Sequence, residues 1–272
     1  MIDQKAATLF DTDMHIHRIS CDRNVRHAAE QEFLSSKPSA ICSFSLLELK
    51  GNYIQDLILL RNKTGASDDF ESMASRIMNS GGRRCMLMLS QLIRIIGKDV
   101  LPVYDWDKTQ NILLTHIDAQ IAISWNEFKG SVDEVVDLFN CTRAKEEPSL
   151  LKNSWKASIP RCNINNCQCT INSNIISRLP LLKQYLTFYE GLESSSKTNE
   201  LDTIADIISK TVYANKFPWT EGACRKVGDL LIALHAIDFK EFLSSNYKEH
   251  SQLSKALNYE FRKFDVASIR LK

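Results

Sequence analysis

Short apolar runs and helical periodicities alternate near the two ends of the chain, whereas helical periodicity alone fills its middle. Ala6 to Phe10 is apolar and runs straight into Asp11-Thr12-Asp13, the pattern of a buried strand that ends at acids. Between Arg23 and Gln31 polar positions interleave with Val25, Ala28 and Ala29, and Phe33 continues the apolar side, so a helix is predicted there until Lys37-Pro38-Ser39 breaks it. Ala40-Ile41-Cys42 follows as a second strand, and Ser45-Leu46-Leu47-Glu48 opens another helix. This alternation predicts an α/β fold built on a mainly parallel sheet.

From about Ile54 to Phe217 the pattern changes. Helical spacing marks Cys85 to Ile96, Ile112 to Phe128, Val132 to Phe139, Ile175 to Tyr189 and Leu201 to Tyr213, and strand signals almost vanish. Thr142 to Ser173 is irregular and holds Pro148 and Pro160; Ser194-Ser195-Ser196 marks an exposed connection. After Pro218 the alternation returns, with a helix over Asp229 to Ala236, a strand over Phe239 to Leu243, and a helix over Glu249 to Leu257 that turns Leu253 and Leu257 inward. The expected organisation is one α/β core made of residues 1–53 and 218–272, interrupted by a mostly helical insertion over 54–217. Such insertions are tolerated where the flanking ends lie close together.

Composition adds boundaries. A chain of 272 residues with 44% hydrophobic and 25% charged content can bury a large core, which excludes wholesale disorder. A formal charge of +1 gives no global field for nucleic acid, so any such contact falls to local clusters such as Arg83-Arg84 or Arg225-Lys226. The first residues lack a basic segment followed by a long apolar run, and no stretch approaches the roughly 18 apolar residues that span a bilayer. A cytoplasmic protein without membrane association is expected. Eight cysteines are too sparse for a disulfide scaffold and are expected reduced.

The run Leu9-Phe10-Asp11-Thr12-Asp13, followed by Ser43-Phe44-Ser45-Leu46-Leu47-Glu48-Leu49, resembles the opening of PIN domains. Gly228-Asp229-Leu230-Leu231-Ile232-Ala233-Leu234-His235-Ala236, leading through Phe239 to Leu243 into Ser245-Asn246, resembles their closing half. The resemblance implies a three-layer PIN-like domain and a nuclease, favouring RNA over DNA because the family is largely ribonucleolytic. It assigns Asp11, Glu48 and Asp229 as catalytic metal-binding carboxylates for Mg2+ or Mn2+, with Asp13, Ser245 and Asn246 supporting them or touching substrate. A protein inhibitor, as in a toxin held by its antitoxin, is a further implication; a homo-oligomer is also open. Many members carry a fourth acid two residues after the position of Ser245; here that residue is Tyr247, and Asn246 or Glu249 would have to substitute. The departure keeps open a catalytically weak or inactive interaction module that binds nucleic acid or protein.

Physical chemistry supports the assignment independently. Open α/β sheets bind ligands outside the carboxyl ends of their strands, where Asp11 is expected. Crowded carboxylates repel one another unless a cation neutralises them, and hard divalent ions prefer oxygen ligands. Such ions can activate water and orient a scissile phosphate. Each acid has a plainer role as well: Asp11 or Asp13 can cap a helix, Ser45 and Glu48 have capping-box spacing, and Asp229 suits a helix N-terminus.

Two further motifs compete for chemistry. Asp13-Met14-His15-Ile16-His17 resembles the Asp-x-His-x-His entry of metal-dependent amidohydrolases, where alternate histidines on a strand share one face. Only His27, His116, His235 and His250 remain elsewhere, and the strands are too few for a barrel, so His15 and His17 are expected as partly exposed helix-entry residues. Cys162, Cys167 and Cys169, with Cys141 upstream, supply four thiols to one irregular region, enough for a structural zinc site although not at Cys-x2-Cys spacing. Reduced cysteines filling small buried spaces are the plainer reading.

Overall fold

The structure, a computed structural model, describes residues 2–19, 22–97, 105–151, 154–156, 162, 169–213 and 221–270. The chain forms two compact units: residues 1–47, 131–145 and 160–272 make the first, and 48–130 with 146–159 the second.

In chain order the elements are β1 (Thr8–Phe10), α1 (Thr12–Arg18), α2 (Arg23–Ser35), β2 (Ser39–Cys42) and α3 (Ser43–Leu49). After a π-helical turn over Lys50–Ile54 come α4 (Gln55–Gly65), α5 (Phe70–Ile96) and α6 (Trp106–Gly130). The chain then returns to the first unit for β3 (Glu134–Val136) and α7 (Thr142–Lys145), and leaves it for β4 (Ser149–Leu151) and β5 (Ser154–Lys156). It ends with α8 (Ile171–Ser177), α9 (Leu179–Glu190), α10 (Asn199–Val212), α11 (Glu221–Lys226), α12 (Gly228–Ala236), β6 (Glu241–Ser244), α13 (Tyr247–Leu257), β7 (Phe261–Lys263) and α14 (Val266–Arg270).

The first unit is an α/β fold around an all-parallel five-stranded sheet in the order β3-β2-β1-β6-β7. Register is fixed by Leu9, which lies opposite Ala40 on one side and Phe242 on the other. Every residue of β1 and β2 is buried, as a parallel sheet covered on both faces requires. Alternation sends neighbouring side chains to opposite faces. Phe10 and Leu243 join Met14, Val25, Ala29, Phe33 and Phe264 in one apolar cluster, with Phe10 stacked on Phe33 at 3.9 Å. Phe242, one residue before Leu243, packs instead against His250 of α13, ring centroids 4.7 Å apart. Every residue of helix α12 except Asp229 is buried, which explains an apolar content too high for a surface helix.

One expectation from the periodicity is corrected. Val132 to Phe139 is not a helix: Glu134–Val136 adds β3 to the sheet edge, and Asp133 fastens its start by accepting the Ser39 N–H at 2.8 Å. Three residues are too short for periodicity to separate strand from helix, and the β-branched pair Val135-Val136 was the local signal. The first unit contains residues 131–145 and 160–217 of the stretch expected as insertion.

That second unit packs α4 against α5 and α6. Arg61 of α4 pairs with Asp118 of α6 at 3.1 Å, and the same carboxylate accepts the Trp155 indole N–H at 2.7 Å, which ties the β4–β5 hairpin down. Lys50 is fully buried and donates to the Glu146 carbonyl at 2.6 Å.

Helix ends carry measurable weight. Asp22 caps α2 by accepting the N–H groups of Asn24 and Val25 at 3.1 and 3.2 Å. Asp22→Ala is expected to lower stability by about 1 kcal/mol in urea unfolding, and an unchanged midpoint would show the cap to be inert. Acid lability has a definable source in His235 of α12. Its Nδ1–H lies 2.7 Å from the Leu231 carbonyl and its Nε2 accepts the Leu138 N–H at 3.2 Å, an arrangement that needs a neutral ring. Burial lowers its pKa from 6.5 to about 4. The folded state therefore resists a proton that the unfolded state accepts, so this stability is complete above about pH 6.5 and drains away as pH falls toward 4. Between about pH 7.5 and pH 5 the loss through this residue is about 2 kcal/mol, and His235→Gln should lose that much less over the same interval.

Candidate functional site

The chain runs outward from β1 through β2 to β3, then returns to lay β6 on the other side of β1. The strand order therefore reverses between β1 and β6, and the crevice outside their carboxyl ends is where open α/β sheets bind ligands. Asp11 follows β1 there, and Ser244-Ser245-Asn246 completes and follows β6.

Asp11 is the buried N-cap of α1. Its Oδ1 accepts the Thr12 N–H at 2.7 Å, its Oδ2 accepts the Ser244 hydroxyl at 2.7 Å, and its own N–H donates to the Leu243 carbonyl at 3.1 Å. Asp13, two residues on in the first turn of α1, receives the Ser245 N–H at 2.8 Å and the Ser244 and Ser245 hydroxyls on Oδ2. Its Oδ1 is buried without a hydrogen-bond partner among the described residues. Ser245 is held in turn by His17 Nε2 at 2.9 Å. Asn246 donates from its side chain to Asp229 Oδ2 at 3.0 Å.

His250 of α13 lies between the two ends of the chain. Its Nε2 is 3.4 Å from Asp11 Oδ2 and 3.9 Å from Asp229 Oδ1, and the ring is fully buried. Asp11 and Asp229 thus face one imidazole, although 217 residues separate them in sequence. Glu200 in the first turn of α10 and Glu249 in the first turn of α13 complete an acid triad with Asp229, each offering an oxygen within 4.8 Å of the others.

The electrostatics follow from crowding and burial. Burial opposes ionisation of His250, but Asp11, Asp229 and Asp13 outweigh it and raise its pKa to about 9, so it is an imidazolium at neutral pH. Burial likewise resists ionisation of Asp11, and contacts with His250, Ser244 and the Thr12 N–H overcome it and hold that carboxyl below its usual range. Asp229 is pushed up to about 7 by burial together with Asp11, Glu200 and Glu249, and Asp13 to about 7 by burial and Asp11. Burial and Glu249 raise Glu200. More carboxylate charge converges here than one imidazolium offsets, the condition under which a divalent cation is favoured. The three converging acids, Glu200, Asp229 and Glu249, fit such an ion.

Of the residues singled out in the sequence, Asp11, Asp13, Asp229, Ser245 and Asn246 meet at this site. Glu48 is half-buried near the end of α3 and belongs to the second unit. Tyr247 is half-exposed, with Phe261 at 6.2 Å and the Lys263 ammonium 5.3 Å above its ring, and Glu249 supplies an acid in its stead. Glu200, Ser244 and His250 were not anticipated. An acid in a first helical turn was the sole local signal for Glu200, and it also fits an ordinary dipole partner.

The Asp-x-His-x-His motif is corrected by its setting. It lies on α1, where residues two apart point in nearly opposite directions, so its histidines share no face. His15 is buried edge-on to Phe33 at 4.8 Å, and burial lowers its pKa to about 3. It is therefore not partly exposed as expected. Cys141, Cys162 and Cys169 are reduced and partly buried, and Cys167 lies outside the described residues. No helix among the described residues is long and apolar enough to cross a membrane. Compared with protein-family models, curated proteins and solved structures, the chain has no match in any of the three.

Proposed function

We propose that the first unit is a divalent-cation-dependent nuclease of PIN-like design that hydrolyses phosphodiester bonds, in RNA before DNA. The observation that carries this reading is the convergence of Asp11, Asp13, Glu200, Asp229 and Glu249 outside the carboxyl ends of β1 and β6, at the reversal of strand order. Glu200, Asp229 and Glu249 would hold Mg2+ or Mn2+. When bound, such an ion lowers the pKa of a coordinated water and neutralises charge on the scissile phosphate. Asn246 aims the Asp229 carboxylate, Ser244 and the Thr12 N–H fix Asp11, and Ser245 with His17 fixes Asp13. These contacts remove rotamer freedom before substrate arrives, which is the form in which electrostatic catalysis costs least.

The test is cleavage of labelled single-stranded RNA and DNA with Mg2+, with Mn2+ and with chelator. Metal-dependent cleavage of RNA supports the reading, whereas equal cleavage in chelator would sink it. One observation favours a second reading, a weakly catalytic or inactive module that binds nucleic acid or protein: His250 already supplies a cation between Asp11 and Asp229. Retention of RNA without cleavage under every metal condition would select it.

A further inference from the structure

A polyanion approaching the acid triad meets repulsion from Glu200, Asp229 and Glu249, with Asp11 and Asp13 behind them, so attraction for a nucleic-acid strand has to come from beside these groups. Aromatic and basic residues far apart in the sequence are assembled there by the fold. Helix α13 opens with Tyr247 and Lys248, both exposed. Asn246, whose side chain donates to Asp229 at 3.0 Å, precedes them, and Glu249 of the triad follows. The edge strand β7 packs beside α13 and, by alternation, turns Phe261 and Lys263 to one face and Arg262 to the other, where Arg262 pairs with Glu32 and Glu241. Phe261 lies 6.2 Å from the Tyr247 ring, tilted by 35°, and the Lys263 ammonium stands 5.3 Å from the ring centroid. These contacts position the ring, yet 51% of Tyr247 stays open to solvent. Residues two apart on a helix point away from each other, so the ring flanks the Glu249 carboxylate instead of covering it.

We propose that Tyr247 stacks on an unpaired base of single-stranded RNA, beside the phosphate held at the acid triad, while Lys248 and Lys263 neutralise flanking phosphates. The inference rests on the nuclease reading and names the form of nucleic acid that its site takes. Every base has a flat face, so an exposed tyrosine ring receives any of them without regard to sequence. A base inside a duplex is already stacked, and freeing it costs a few kcal/mol, so the ring selects unpaired strands. Lys263 also lies 3.4 Å from Asp265 Oδ2, but that pair is on the surface, where such pairs are worth little, and a phosphate can take its place. Arg262, by contrast, is committed to its two glutamates on the far face of β7 and contributes nothing to the strand.

The test titrates the full-length protein into fluorescently labelled single-stranded RNA of mixed sequence, with Ca2+ in place of Mg2+, reads binding as anisotropy and confirms afterwards that the RNA is intact. Wild type should prefer the single strand to a duplex of the same sequence. Tyr247→Ala should weaken binding of the single strand by about 5- to 150-fold, the range of one base–aromatic stack, and leave the duplex unchanged. Tyr247→Phe keeps the ring and should bind as wild type does. Tyr247→Leu keeps an apolar contact with Phe261, which guards against a misfolded alanine variant, and should bind as weakly as Tyr247→Ala. Lys263→Gln should flatten the dependence of log affinity on log salt by about 0.7, the loss of one phosphate contact on a single strand. Wild-type affinity in Tyr247→Ala and Tyr247→Leu, no preference of wild type for the single strand, or a loss in Tyr247→Phe as large as in Tyr247→Ala would overturn the proposal. Cleavage in Mg2+ is scored separately. If wild type cleaves RNA and Tyr247→Ala binds it normally, the stack fails and the nuclease stands; if single strands are held through Tyr247 and never cut, the stack stands and the nuclease fails.

Discussion

Asp229→Asn is expected to abolish metal-dependent cleavage, by about a thousandfold or more, while leaving a folded protein. The estimate follows from the several kcal/mol that a bound divalent ion contributes to the transition state, at 1.36 kcal/mol per tenfold in rate. Asparagine keeps the shape of the side chain but binds a hard cation poorly. It also removes a charge that burial, Asp11, Glu200 and Glu249 all resist. A carboxyl whose folded pKa is raised to about 7 destabilises the folded state progressively as pH rises from its ordinary 3.8 through that value. Metal-free Asp229→Asn should therefore melt higher than wild type at about pH 8, which separates loss of chemistry from loss of fold. Mn2+ should raise the melting temperature of wild type and leave the variant unmoved, by mass action on the folded state. Full activity in Asp229→Asn, or in Asp11→Asn, would remove the site from the mechanism.

His250→Gln carries the second large effect, and here stability is the quantity measured. The fully buried imidazolium lies 3.4 Å from Asp11 and 3.9 Å from Asp229, and deleting one member of a buried ion pair typically costs 3–5 kcal/mol. A loss of about 3 kcal/mol is expected at pH 6 without metal. Because the folded pKa of His250 is raised to about 9 from 6.5, its stabilising share is complete below about pH 6.5 and vanishes as pH climbs through 9. Wild type and variant should therefore converge in alkali. Divalent cation should rescue His250→Gln more than it stabilises wild type, since ion and imidazolium answer the same negative charge. Equal stability of the two proteins at pH 6 would show that the ring is no counter-ion, and with it the case for an inactive module would lapse.

How much of this was legible beforehand depended on how local each signal was. Asp11 could be read because an apolar run stops at it, and Asp229 because an apolar helix starts at it. Both facts lie within one element. Glu200 and His250 could not, because their meaning comes from residues distant in sequence: the first turn of α10 has to meet that of α12 before Glu200 reaches Asp229, and Phe242 and Tyr259 have to wall in His250 before its charge matters. Strand β3 was missed for the opposite reason, too little local sequence rather than too much distance.

The pairing of Thr8 with Glu241 has a consequence for biosynthesis. During translation the amino-terminal acids emerge long before their partners, and non-local strand pairing is slow even when both strands are available. Until β6 docks, Asp11 and Asp13 lack the serines that orient them. On the proposed nuclease reading, a ribosome-bound nascent chain would therefore be hydrolytically silent toward the RNA that surrounds it until the distal segment has been made and has docked.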